Sequence, residues 1–110
     1  MAKREQRRWE RYDVRIEVNV TIVENGKPST LVGQASDVSK GGLRLFVTRA
    51  IEPGSSITME LVLPYYSKEL EVRGVVRNRE GFTHGIEFTN PTIEQQQMIE
   101  RTCDVLALLR

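Results

Sequence analysis

The sequence predicts an all-β-dominated fold, in which six short strands form a small antiparallel barrel or sandwich and a C-terminal α-helix follows. Stretches in which apolar and polar residues alternate are typical of half-buried strands. Glycine, proline and asparagine separate these stretches at spacings typical of small barrels and sandwiches. The end of the chain is instead apolar nearly all round, which indicates a helix with one side on the sheet.

The first two strands are predicted to form a hairpin. Apolar and polar residues alternate from Val14 to Ile22, and Asn25-Gly26 then supplies the positive φ angles of a tight turn. Thr30 to Ala35 is the predicted return strand, and residues 37–42 follow it as a loop.

The rest of the chain continues the pattern and then changes it. Four further strands are predicted over residues 43–47, 57–63, 70–76 and 82–88. Thr92 and Gln95 have the spacing of a capping box, which predicts a helix over about residues 92–109. We expect residues 14–110 to form one domain, preceded by a flexible, arginine-rich ligand-binding segment over residues 1–13.

Composition excludes several classes of protein. The chain has 110 residues, of which 39% are hydrophobic and 28% charged, as in an ordinary globular domain. No apolar run approaches the roughly 20 residues that span a bilayer, and the charged N-terminus does not resemble a secretory signal. A single cysteine, Cys103, excludes an intrachain disulfide, so we expect a cytoplasmic protein and a core or interface role for this residue.

Chemistry at a metal or a catalytic triad finds little support. His84 is the only histidine, so a site with several histidine ligands cannot form, and we expect neither a metal nor another cofactor. Ser39, His84 and Asp37 lack the sequence context of a nucleophile. We therefore expect a protein that is not an enzyme, with His84 in a strand or turn.

The positive charge is concentrated at the N-terminus. Residues 1–15 carry six basic and three acidic side chains, whereas the other 95 residues carry ten basic and twelve acidic ones. A local positive field of this kind favours a small anionic ligand over a broad nucleic-acid surface.

Arg7 and Arg11 form an RxxxR pair, and Arg8 lies between them. A guanidinium group binds phosphate through two parallel hydrogen bonds, stacks on flat π-systems and can read the O6 and N7 atoms of guanine. By charge alone, a solvated basic tail explains the segment as well. Trp9, inside the pair, could stack on a base or pack the segment onto the barrel.

Residues 37–42 form the second candidate element, with the pattern DxSxxG. Asp37 offers an acceptor for the N1–H and N2–H edge of guanine, and Ser39 offers a hydroxyl group. Gly41 and Gly42 permit positive φ angles and a close approach of a ligand to the backbone. Taken alone, this pattern is equally typical of an ordinary turn.

Together, the two elements resemble the PilZ domain family, and the resemblance runs from about Gln6 to Phe88. It implies a six-stranded antiparallel β-barrel that binds cyclic di-GMP, often as an intercalated dimer of the dinucleotide. By position, Arg7 and Arg11 would hold phosphate and guanine, and Arg8 would be an additional clamp. Asp37 and Ser39 would meet the guanine or the ligand backbone, and Gly42 would keep the shape of the turn.

The resemblance implies a receptor or adaptor in which the ligand orders the arginine segment against the DxSxxG turn. The surface offered to an unidentified protein partner would then change. Two alternatives remain open: a small barrel that binds single-stranded nucleic acid, and an interaction adaptor that needs no ligand. The apolar run over residues 105–109 could close one end of the barrel or form a homodimer through the helix.

Overall fold

The computed structural model describes residues 9–110, which form six strands and one helix. The strands close into an antiparallel barrel in the order β1-β2-β3-β6-β5-β4, and this confirms the predicted fold class. The elements are β1 Tyr12–Glu24, β2 Lys27–Val38, β3 Gly42–Phe46, β4 Ser56–Leu61, β5 Leu70–Glu80, β6 Thr83–Phe88 and α1 Ile93–Leu109.

The first hairpin is longer at both ends than predicted. Asn25 and Gly26 have φ angles of 53° and 76°, as the predicted two-residue turn requires. β1 begins at Tyr12, two residues before the expected start, and β2 runs on to Val38. Asp37 was predicted to lie in a loop, and this is wrong. Asp37 belongs to β2 because it pairs with residues of both neighbouring strands, Asp13 on one side and Arg44 on the other.

Alternation along the strands fills the barrel with aliphatic side chains. Five of the least exposed are Val18, Val20, Ala35, Leu45 and Met59, each with an exposed fraction of 0%. The helix adds Met98 and Ile99 to the same core cluster. Its capping box is present as predicted, since the Gln95 backbone N–H donates to Thr92 Oγ1 and the Thr92 N–H to Gln95 Oε1, both at 3.0 Å.

Two β-bulges interrupt the alternation of inward and outward residues. On β2, Ala35 pairs with Leu45 and Asp37 pairs with Arg44, so Ser36 is an extra residue. On β5, Val76 pairs with Ile86 and Asn78 pairs with Gly85, so Arg77 is an extra residue. A bulge shifts all later residues of its strand to the opposite face of the sheet. Asp37 and Asn78, which a regular ladder would turn inward, therefore lie on the outer face.

His84 is a structural residue of the core and lies in β6, the first of the two places, strand or turn, that were predicted for it. Its exposed fraction is 0%, and its Nε2 accepts a hydrogen bond from the Ile51 backbone N–H at 2.9 Å. Its Nδ1 lies 3.3 Å from the Leu45 carbonyl oxygen, which fits a neutral ring with the proton on Nδ1. Burial lowers the pKa of His84 below 6.5, because the charged ring would lose its hydration.

This lowered pKa predicts that acid destabilises the fold. Below about pH 6.5 the unfolded chain binds a proton at His84 that the folded chain does not bind. The free energy of unfolding should therefore fall with decreasing pH by at most about 1.4 kcal/mol per unit from this group. Urea unfolding at several pH values between 7.5 and 5.5 measures the slope, and His84→Asn should flatten it.

Equal slopes for the wild type and His84→Asn would contradict this role. An NMR titration of the imidazole in the wild-type protein gives an independent test, because the pKa of the ring should lie below the 6.5 of a free imidazole.

Candidate ligand-binding site

One carboxylate on the barrel surface joins the two sequence motifs. Asp37 Oδ1 lies 3.4 Å from Arg11 Nη1, and Asp37 Oδ2 lies 3.4 Å from Arg44 Nε. The Asp37 side chain is 13% exposed, whereas the side chains of Arg11 and Arg44 are 30% and 40% exposed. Two guanidinium groups thus share the negative charge of Asp37 at a surface that a ligand can reach.

The position of Asp37 follows from the bulge at Ser36. Val38, one residue further on, is buried in the barrel with an exposed fraction of 0%, so Asp37 must lie on the opposite face. Its pairing with Arg44 on β3 places the carboxylate beside that guanidinium group. Arg11 immediately precedes β1 and reaches the same carboxylate from the other side.

The Ser39 hydroxyl group holds the shape of the turn. Ser39 Oγ accepts hydrogen bonds from the backbone N–H groups of Gly41 at 3.2 Å and Gly42 at 3.1 Å. It also donates to the Gly42 carbonyl oxygen at 3.3 Å, and the Ser39 backbone N–H donates to the same oxygen at 2.8 Å. A serine hydroxyl has one donor and two acceptor positions, and the turn uses all of them. A contact between Ser39 and a ligand stays a prediction.

The two glycines of the turn are required for different reasons. A Cβ atom on Gly42 would lie 1.9 Å from the Ile86 carbonyl oxygen, so the backbones of β3 and β6 exclude any side chain there. A Cβ atom on Gly41 would lie 2.6 Å from Cδ1 of Trp9. The indole therefore packs directly on the turn, which is the second of the two roles considered for Trp9.

The C-terminal half of α1 borders the same region. Lys40 Nζ in the turn lies 3.4 Å from Asp104 Oδ1 on the helix. Arg110, the C-cap residue, lies 3.4 Å from Glu10 and 5.0 Å above the centre of the Tyr12 ring. The helix thus contacts both the DxSxxG turn and the start of β1.

Five of the seven predicted site residues lie together: Arg11, Asp37, Ser39, Gly41 and Gly42. Arg7 and Arg8 lie outside the described residues, so their roles remain predictions. Arg44 is a member of the cluster that the sequence reasoning did not assign. The sequence does contain a pattern that places Arg44 on the outer face near the motif. Arg44 is a polar residue between the apolar Leu43 and Leu45, and it follows the last motif residue by two positions.

The described part of the chain offers no other obvious chemistry. Residues 9–110 contain no group of three histidine, cysteine or acidic side chains that could hold a metal ion. Burial raises the pKa of the Cys103 thiol to about 11, in keeping with the core role expected for it. Among these residues, α1 lacks the combination of length and apolar character that crossing a bilayer requires.

The sequence model of the PilZ domain matches residues 5–104. The chain belongs to the PilZ domain family. This match covers both motifs, the whole barrel and most of α1. No sequence among the curated proteins matches the chain.

Solved structures of other proteins show the same fold. The PilZ domain of YcgR from Escherichia coli, with c-di-GMP, is 14% identical to this chain, and the two structures have a TM-score of 0.72. The match covers 94% of this chain and 92% of the YcgR chain. The K. pneumonia MrkH–c-di-GMP complex is 19% identical with a TM-score of 0.75 over 98% of this chain. The Bacillus subtilis inhibitor of motility, MotI/DgrA, is 18% identical with a TM-score of 0.74 over all of it. This chain spans about half the length of the other two proteins, 54% of the MrkH chain and 55% of the MotI/DgrA chain.

The two turn glycines should respond differently to the same substitution. Gly42→Ala should lower the free energy of unfolding by more than about 2 kcal/mol, because its methyl group meets backbone that cannot move cheaply. Gly41→Ala should stay within about 1 kcal/mol of the wild type, because it displaces only the Trp9 ring. Urea unfolding measures both values.

The single tryptophan reports the displacement. In Gly41→Ala, Trp9 emission should shift to longer wavelength and acrylamide should quench it more strongly, since the ring leaves the turn. An unchanged Trp9 spectrum, or equal stability losses for the two variants, would contradict the packing described for the turn.

Proposed function

We propose that this PilZ domain protein is a receptor or adaptor for cyclic di-GMP. The observation that carries the proposal is the contact between Arg11 of the RxxxR motif and Asp37 of the DxSxxG motif, which are separated by 26 residues in sequence. This contact brings an anion-binding group and a hydrogen-bond acceptor to the same place on the barrel. The c-di-GMP complexes of the YcgR PilZ domain and of MrkH support the choice of ligand.

The chemistry of the cluster fits the two parts of this ligand. Arg11 can bind a phosphate through two parallel hydrogen bonds or read the O6 and N7 atoms of a guanine. Asp37 can accept hydrogen bonds from the N1–H and N2–H groups of a guanine, which neither adenine nor a simple phosphate offers. Arg7 and Arg8, four and three residues before Arg11, would add positive charge around the ligand.

In this proposal the ligand exchanges partners with the protein. Phosphates take over contacts of the arginines with Asp37, and the freed carboxylate accepts a guanine edge. Multiple charge-assisted hydrogen bonds offset the entropic cost of fixing the long arginine side chains around the ligand. Binding as an intercalated dimer would supply four phosphates to the same arginines.

The signal would then reach a protein partner through the surface next to the site. Arg110 at the end of α1 pairs with Glu10, and Lys40 of the turn pairs with the same helix. A rearrangement of the chain around Glu10 or of the turn therefore changes contacts at the end of the helix. The exposed side chains of Leu108 and Leu109, which are 83% and 68% exposed, make this end suitable for a partner or a second copy of the chain.

Calorimetric titration with cyclic di-GMP tests the proposal and gives the stoichiometry. The wild type should bind at micromolar concentration or below, and Arg11→Ala should weaken binding at least about ten-fold through loss of a charge-assisted contact. Cyclic di-AMP is the matched control ligand because it has the same phosphates without a guanine edge. Asp37→Ala should reduce the preference for cyclic di-GMP over cyclic di-AMP.

Absence of binding by the wild type would refute the receptor function. Partner binding that is equal with and without nucleotide would then favour the ligand-independent adaptor. Tight oligonucleotide binding with a steep salt dependence would favour the single-strand binder.

A further inference from the structure

A row of four residues crosses the outer face of the barrel beside the site. The strand pairing places Asp37 of β2 next to Arg44 of β3, Arg44 next to Gly85 of β6, and Gly85 next to Asn78 of β5. Because adjacent strands lie about 4.8 Å apart, the row is about 14 Å long. A ligand with two bases and two phosphates can contact such a row at more than one point.

The two bulges lie directly beside this row. Ser36 is the extra residue next to Asp37, and Arg77 is the extra residue next to Asn78. Without them, both polar side chains would face the apolar interior of the barrel. Bulges of this kind are common where a strand must redirect a side chain next to a functional site. Both ends of the row are thus turned outward by the same device.

The middle of the row, at Gly85, has no side chain of its own. Gly85 has no side chain, and a Cβ atom there would lie 2.6 Å from Oδ1 and 2.9 Å from Nδ2 of Asn78. The Asn78 amide therefore lies over Gly85, beside Arg44 on the neighbouring strand. An amide offers both donors and an acceptor to the edge of a base, and the missing side chain of Gly85 leaves room for this amide beside Arg44.

The charges around the row also suit an anionic ligand. Arg44 is held on the rigid barrel by Asp37 and keeps a 40% exposed side chain. Glu87, two positions after Gly85 on the same face, is paired with Arg77. Asp37 on β2 and Glu87 on β6 thus each have an arginine partner, whereas Asp13, the cross-strand neighbour of Asp37 on β1, lies two strands away from Arg44.

We infer that Arg44 is a further ligand-binding residue, and that Gly85 and the Asn78 amide form a platform for the base beside it. This inference rests on the proposed function and extends the site from the two motifs across β3, β6 and β5. Arg44 differs from the motif arginines in its rigidity, because it lies within a paired strand whereas Arg11 lies before β1. It provides a preorganised contact on the barrel.

The test compares Arg44→Ala with Arg49→Ala in the full chain, with cyclic di-GMP as the probe in calorimetry. Arg49 is a matched control, because its side chain is 37% exposed and it also pairs with a carboxylate, Glu24, away from the row. Arg44→Ala should weaken binding ten-fold or more, and Arg49→Ala less than two-fold. Arg44→Lys should recover only part of the loss, since lysine keeps the charge but not the bidentate geometry.

A separate variant tests the base platform that Gly85 and the Asn78 amide form. Gly85→Ala displaces the Asn78 amide while leaving Arg44 and Asp37 in place, and it should also weaken binding ten-fold or more. Thermal unfolding followed by circular dichroism shows that each variant is folded. In the wild type, NMR should show shifts of the Arg44 Nε–H and Asn78 amide signals when cyclic di-GMP is added.

The outcomes separate the two proposals. If the wild type binds and Arg44→Ala binds equally well, the inference about the row is overturned while the receptor function stands. If Arg44→Ala weakens the binding of cyclic di-GMP and Gly85→Ala does not, Arg44 contacts the ligand and the base platform is overturned. If the wild type does not bind, the receptor function is overturned, and the role of the row in binding cyclic di-GMP with it.

Discussion

The carboxylate of Asp37 lies between Arg11 and Arg44, and the arrangement of the candidate site depends on it. A half-buried carboxylate needs partners, because its desolvation would otherwise be costly. Here the partners are two guanidinium groups, one before the first strand and one within the third. The same contact ties the N-terminal segment to the barrel and keeps two arginines close together despite their mutual repulsion. In the proposed function, a ligand that brings its own negative charges would replace the carboxylate, and the arginines would exchange partners.

The barrel provides a rigid frame for this exchange. Closure gives each of the six strands two neighbours, and an aliphatic core fixes the spacing of β2, β3, β6 and β5. Two features then shape the outer surface. Gly42 allows β3 to approach Ile86 of β6 more closely than any other residue would, and Ser39 satisfies the backbone of the turn that leads into β3. The bulge at Ser36 adds the change of face that brings Asp37 out of the core.

The contacts between the helix and the site are of a different kind. Lys40 with Asp104 and Arg110 with Glu10 are exposed ion pairs, and pairs of this type contribute at most about 1 kcal/mol each. The interior face of α1, with Met98 and Ile99, is instead buried in the core. The helix is thus anchored by apolar packing while its end is connected to the site by weak contacts. Such contacts rearrange at little cost, which suits a surface that responds to ligand.

The sequence by itself determined the fold class, the type of the first turn, the capped helix and the two motifs. Each of these depends on local chemistry, such as alternating apolar residues, the positive φ angles of Asn25 and Gly26, and the Thr92 capping box. The outward direction of Asp37 was decided only by the tertiary structure, because a bulge depends on the register with β3 and not on the residues of β2 alone. The row from Arg44 to Asn78 was likewise not predictable, since it requires β3 to pair with β6 and β6 with β5. Local periodicity sets the face of each residue within a strand, but strand order and register follow from how the whole core packs.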